Sequence, residues 1–249
     1  LPVRVPWHVL VHGTSARDEI SPGYYDFLHR YLADFRAVVA GLGLAGTPRL
    51  VLTQSAANTT IQPSHRWDVI ADQLRFCAEG HAVLAAPLYP FPIADNVVHP
   101  DGETTLLFSE AICRAIAEEE AGRRWTALAP SLRLEGSRIH LRFDTRPDEV
   151  LQLHDPARYG GAGIDAHQGF ELEGGTIAAV AITAPDTVTL TVTGTPTAIR
   201  YAFQTQDVSG LPGNRWTGHR GLLRTSYAWP ARTSGETLWR WVPSFRLAL

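Results

Sequence analysis

Three short apolar runs alternate with three stretches of helical periodicity over the first 120 residues, and this alternation constrains the fold more than any other feature. Trp7-His-Val-Leu-Val11, Leu50-Val-Leu-Thr53 and Ala82-Val-Leu-Ala-Ala86 are brief and continuously apolar, the pattern of strands buried on both faces. Between the first two, Tyr24, Phe27, Leu28, Tyr31, Leu32, Phe35 and Val38 recur at helical spacing until Gly41 closes the stretch. A second helix is predicted from Trp67 to Ala78, with Trp67, Ile70, Ala71 and Leu74 on one face. A third starts after Pro100-Asp-Gly102, capped by Asp101, with Leu106, Cys113, Ile116 and Ala117 on one face. Strands alternating with helices predict a parallel sheet covered on both sides, a three-layer α/β arrangement.

Around Glu120-Ala-Gly-Arg-Arg-Trp125 the pattern changes. From there on, β-branched runs alternate with turns: Arg138–Phe143, Thr176–Ile182, Thr187–Val192 and Ala198–Ala202. Thr187-Val-Thr-Leu-Thr-Val192 alternates polar and apolar residues, as a half-exposed antiparallel strand does. No amphipathic helix is evident after residue 122. The expected organisation is an α/β unit over 1–122 and an all-β sandwich or jelly roll over 123–249.

Composition excludes several classes. A formal charge of -3 lacks the basic excess of an electrostatic nucleic-acid binder, and no apolar run is long enough to predict a membrane span. Cys77 and Cys113 sit on predicted amphipathic helices and read as small buried hydrophobes; no Cys/His spacing suggests zinc. The sequence holds no methionine and enters a strand almost at once, so a processed, nicked or trimmed C-terminal part of a longer α/β domain is expected.

Candidate chemistry lies where the predicted strands end, since open parallel sheets bind ligands at their carboxyl edge. The first strand runs into His12-Gly-Thr-Ser15, the second into Gln54-Ser-Ala-Ala-Asn-Thr-Thr60, and the third leads through a Pro-rich turn to Asp95 and His99. A carboxylate near a loop histidine orients the imidazole and makes it basic enough to take a proton from a hydroxyl. Trp216, Trp229, Trp239 and Trp241 crowd the C-terminal stretch; they are either core or platforms for sugar rings.

The segment from Ile93 to Ile116 resembles the last motif block of the SGNH/GDSL hydrolase superfamily, Asp-x-x-His followed by a helix, in the carbohydrate branch that includes sialate O-acetylesterases. Three residues separate Asp95 from His99 here, and Asn96 holds the family's acid position. The loop after the first strand resembles that branch's Gly-Glu-Ser/Asn-Asp block. Gly13 matches, Thr14 replaces the Glu, Ser15 stands where Asn or Ser would, and Ala16 occupies the Asp position. Gly169-Phe-Glu-Leu, Ala198-Ile-Arg-Tyr-Ala-Phe and Arg220-Gly-Leu-Leu-Arg224 resemble pieces of its accessory β-domain.

The resemblance implies a flavodoxin-like SGNH sheet, incomplete on its N-terminal side, and a serine esterase that removes acetyl or a similar acyl group from a saccharide. His99 would be the general base, oriented by Asp95 or Asn96; Gly13 and Ser15 would line the oxyanion site and Gln54 would contact substrate, with no metal or organic cofactor. No Gly-Asp-Ser block occurs, so the nucleophilic serine would come from an N-terminal partner chain that completes the sheet. The rival expectation is a non-catalytic glycan-binding or structural module, for example of a phage-like spike or fibre. A third reading makes Ser15 the nucleophile of a self-sufficient hydrolase.

Overall fold

The computed structural model describes residues 3–13, 23–55, 67–92, 100–159, 167–203 and 220–249. Its first part is a parallel sheet of β1 (Trp7–Leu10), β2 (Arg49–Gln54) and β3 (Ala82–Pro87), in the order β1-β2-β3. Helices α1 (Tyr24–Gly41), α2 (Trp67–Ala78) and α3 (Gly102–Glu120) connect and cover it.

Side-chain alternation along the strands sorts the two faces. Leu50, Leu52 and Leu84 point toward Tyr24, Leu28 and Leu32 of α1 and Val69, Leu74 and Phe76 of α2. Val51, Val83 and Ala85 meet Leu107, Phe108, Ala111, Ile112 and Ala115 of α3. The latter set displaces the predicted face of the third helix. Leu106 and Cys113 are exposed, and the helix buries the stripe that runs from Thr104 to Glu118. The Asp101 cap forms as predicted, its carboxylate accepting from the Thr104 N–H at 2.8 Å. Cap chemistry is local; which face turns inward is decided by what the sheet offers.

The remaining strands are antiparallel. β4 (Pro130–Glu135), β5 (Arg138–Phe143), β8 (Thr176–Ala184) and β9 (Thr187–Thr193) form one sheet in the order β4-β5-β9-β8. β7 (Phe170–Glu173), β10 (Ala198–Tyr201) and β13 (Phe245–Ala248) form a second, ordered β13-β10-β7. β6 (Leu151–Leu153), β11 (Leu223–Pro230) and β12 (Thr237–Trp241) form the third, ordered β12-β11-β6.

These observations correct the expected fold class. The described residues form three helices and thirteen strands in mostly antiparallel sheets, with one small parallel sheet; this is not the expected α/β three-layer SGNH fold, while the β-rich part loosely fits the expected sandwich. Strand–helix alternation specifies parallel neighbours locally, but the extent of a sheet depends on how many strands join it, and among the described residues three do. One apolar core continues from Leu50, Leu84 and Tyr89 through Leu128, Ile139, Tyr201, Trp241 and Phe245.

Specific hydrogen bonds stitch the two parts together. The Tyr89 hydroxyl donates to the Val242 carbonyl at 2.8 Å and lies 3.1 Å from the Tyr201 hydroxyl. The Gln54 amide, fully buried, donates to the Ser244 carbonyl at 2.8 Å and accepts from the Ser244 N–H at 2.7 Å.

The two margins of the parallel sheet differ. Against β3, the Trp125 indole donates to the Leu84 carbonyl at 3.0 Å, and β12 packs alongside. At β1, α1 covers one face, where His8 stacks on Phe35 with ring centroids 4.0 Å apart. On the other face Val9 is 41% exposed and Val11 49% exposed, because α3 packs over β2 and β3.

Candidate functional site

The carboxyl edge of the parallel sheet gathers a buried, uncharged polar cluster. β1 ends and the chain turns at Gly13, whose φ of 117° favours glycine. A Cβ there would lie 2.6 Å from Gln73 Nε2 and 2.7 Å from Ser55 Oγ, so the turn is packed as well as bent. The His12 carbonyl accepts from Gln73 Nε2 at 2.7 Å and from Ser55 Oγ at 3.1 Å. Gln73 also accepts the Ser55 N–H at 2.9 Å, so one amide on α2 ties the ends of β1 and β2 together.

Two consequences follow for the His12–Gly13 peptide. A trans peptide points its N–H opposite to its carbonyl, so pinning the carbonyl on Gln73 and Ser55 turns the Gly13 N–H away from both. Among the described residues no group accepts from that N–H. The edge therefore carries a backbone donor in a fixed direction.

The imidazole of His12 lies beside the cluster, with Nδ1 3.0 Å from the Tyr24 hydroxyl. Burial lowers the His12 pKa and raises that of Tyr24 to about 12. Both are neutral near pH 7, and the pair is a hydrogen bond and not an ion pair. His8 repeats the arrangement four residues earlier on the same face of the chain, 2.6 Å from the Tyr31 hydroxyl and likewise pushed down by burial.

Of the residues named from sequence, Gly13 and Gln54 are thus placed at this edge. The Gln54 amide also donates to the Ile70 carbonyl at 3.1 Å, so its contacts join β2, α2 and the Ser244 turn. Ser15, Asp95, Asn96 and His99 lie outside the described residues. The segment bearing the last three is bracketed by Pro92 and Pro100. The flanking chain is at the same edge: Phe91 packs on Phe108 with ring centroids 6.4 Å apart, whereas the far end of α3 reaches the strand beginnings, Glu119 meeting Arg49 and Glu120 meeting Trp7. His12 and Ser55 fall in the strand-end stretches that the sequence marks but carry no assigned role there, and Gln73 and Tyr24 lie outside those stretches. Gln73 and Tyr24 had no signal, since each sits within a helix whose polar and aromatic residues read as surface and core.

A second polar cluster lies at the C-terminal end of α3. Glu118 accepts from Arg123 at 2.7 Å and from Arg146 at 2.9 Å; Glu149 pairs with Arg146 at 2.8 Å and with Arg240 at 2.7 Å. Arg123 beside Glu118, supported by Arg146 and Tyr227, holds that carboxyl down at about 2. Every charge has an opposite partner within the protein, as a joint between α3 and the β-rich part requires.

The tryptophans divide. Trp229 and Trp241 are core, while Trp239 is half-buried and carries the Arg224 guanidinium over its ring at 5.0 Å and the His154 ring at 4.6 Å. Arg224 also donates to Gln152 at 2.7 Å and to His154 Nδ1 at 3.1 Å. A groove of about 520 Å³ beside the β4–β5 turn, lined by Leu134, Ser137, Val192, Thr193, Pro196 and Leu249, presents no titratable side chain. Among the described residues no helix is long and apolar enough to cross a membrane.

No protein-family model, curated protein or solved structure matches this chain.

Proposed function

We propose that the chain is the base-carrying part of a serine-dependent carboxylic ester hydrolase acting on an acylated saccharide, with its reaction site at the carboxyl edge of the parallel sheet. The observation that carries this reading is the His12–Gly13 peptide, pinned through its carbonyl so that its N–H faces away from Gln73 and Ser55. A preoriented backbone donor is what the developing oxyanion of acyl transfer needs, because it stabilises charge without reorganising. Removing one such donor costs about 100- to 1,000-fold in turnover elsewhere.

In this reading His99 takes the proton from the serine hydroxyl as it attacks the acyl carbonyl, and returns it to the departing sugar oxygen. Water then repeats the exchange on the acyl-enzyme, releasing the carboxylic acid. Asp95 orients the imidazole. The serine comes from a second polypeptide seated on the margin of β1, where Val9 and Val11 are open to solvent and a further strand together with a layer over this face would bury them. The motif resemblance of the Gly13 and His99 segments supports the same assignment.

Fluorophosphonate labelling of the natively purified protein tests it. A labelled serine on a co-purifying chain, with ester hydrolysis lost at least 100-fold in His99→Ala, is the expected result. Turnover at the wild-type rate in His99→Ala would sink the proposal, and a label on Ser15 would move the nucleophile into this chain.

A second reading, a glycan-binding module without turnover, is favoured by the Trp239 shelf. Arg224 and His154 already pack against the Trp239 ring, and with Gln152 they set hydrogen-bonding groups beside its exposed part, where saccharide hydroxyls would be met. Saccharide binding that fails in Trp239→Ala, with no probe labelling anywhere, would select it.

A further inference from the structure

A cluster of metal-ligating side chains lies on the outer surface where α1 crosses the end of α2, apart from the sites above. His29, Glu79 and His81 each offer one ligand atom, and these atoms all lie within 4.8 Å of one another. We propose that they form a binding site for a divalent transition cation, with Zn²⁺ as the fitting case.

The backbone builds the arrangement. α2 closes in a Schellman turn: the His81 N–H donates to the Phe76 carbonyl at 3.1 Å, the Gly80 N–H donates to the Cys77 carbonyl at 3.0 Å, and Gly80 has a φ of 86°. That left-handed residue folds the chain back, so Glu79 and His81, two apart, face the same neighbour on α1. His29 meets them there, its ring centroid 4.5 Å from that of His81 and 4.9 Å from that of Phe76. The Phe76 edge limits where the His29 ring can turn.

The spacing suits a metal. Ligand atoms about 2.0–2.2 Å from a tetrahedral zinc are separated by about 3.3–3.6 Å. His81 Nε2 lies 3.5 Å from Glu79 Oε2. Two imidazoles and one carboxylate favour zinc, nickel or copper over magnesium or calcium, which take all-oxygen sites. Neighbours also orient the carboxylate, as outer-shell groups do in metal sites: the Tyr25 hydroxyl donates to Oε2, and Arg75 donates to Oε1 at 2.9 Å while stacking over the Tyr25 ring. Three protein ligands leave a fourth position for water. A bound cation would clamp α1 to α2 beneath the helix pair that holds Gln73.

Titration of the metal-free protein with Zn²⁺ alone, followed by calorimetry, is expected to show one saturable site per chain and a rise in Tm on saturation. His29→Ala and His81→Ala should each weaken binding at least tenfold and abolish the Tm rise. Glu79→Gln should do so to a lesser degree, and Co²⁺ should give visible absorption bands of low-coordinate cobalt that vanish in either histidine variant. Far-UV circular dichroism in metal-free buffer verifies folding, with His29→Gln as the milder substitute if His29→Ala does not fold. Absence of saturable binding, or equal affinity in all the variants, would overturn the proposal by placing any metal on other histidines.

Discussion

Two polar clusters of opposite kind lie toward opposite edges of the parallel sheet. At the C-terminal end of α3, near the strand beginnings, Glu118, Arg146, Glu149 and Arg240 are charged and paired among themselves. At the carboxyl edge His12, Ser55, Gln73 and Tyr24 are uncharged, and no described residue accepts from the Gly13 N–H. The difference teaches which cluster holds the molecule together and which fixes one peptide at the candidate site. A closed set of charges joins elements. A neutral set that pins one peptide presents a donor.

The largest expected effect comes from opening the charged cluster. Arg146→Met leaves Glu118 and Glu149 each short of a partner in a buried place, and should cost about 3–5 kcal/mol in urea unfolding. The ester hydrolysis of the surviving folded fraction should be unchanged. A loss below about 1 kcal/mol would show that this cluster is not the joint.

Gly13→Ala should come next, at about 1–3 kcal/mol, since it places a Cβ against Gln73 and Ser55 at a positive φ. Unlike Arg146→Met it should also depress turnover, by turning the His12–Gly13 peptide. Equal activity per folded molecule in the two variants would erase the contrast between the clusters.

Acid gives the smallest effect. Glu118 is held at about 2, below its ordinary value of 4.5, so its contribution is fully present above about 4.5 and is lost as pH falls toward 2. Tm should fall over that interval, by about 2–4 °C for each kcal/mol lost, and fall less in Glu118→Gln, which has no proton to take up. Identical slopes in both proteins would move the acid sensitivity elsewhere.

Much of the local structure is legible in the residues. β1, β2 and β3 fall where short apolar runs predict them, and the Asp101 cap and the helix it starts are readable from Pro100-Asp-Gly102. β5, β8, β9 and β10 likewise coincide with β-branched runs. β6, β7, β12 and β13 are too short, three to five residues each, for alternation to mark them. β4 and β11 carry Pro, Ser and Arg among their apolar positions, which blurs the period.

The site divides in the same way. Sequence singles out Gly13 because a glycine ending a strand is a local signal. Gln73 is invisible to that reasoning, because a glutamine inside a helix gains meaning only when α2 lays it against two strand ends. His29, Glu79 and His81 carry no motif spacing, since His29 lies on α1 while Glu79 and His81 lie in the turn that closes α2.

What the sequence by itself determined is the place of β1 to β3, of β5 and of β8 to β10, the Asp101 cap and the change from strand–helix alternation to β-runs near residue 122, all properties of bonded neighbours. Tertiary structure decided the rest: that three strands of the described residues make the parallel sheet, that α3 turns Leu107 and Phe108 inward and Leu106 outward, and that Gln54 reaches Ser244 across the fold. The physical reason is range. Propensity and capping act over a few residues, whereas burial and hydrogen-bond satisfaction are fixed only by which surfaces meet.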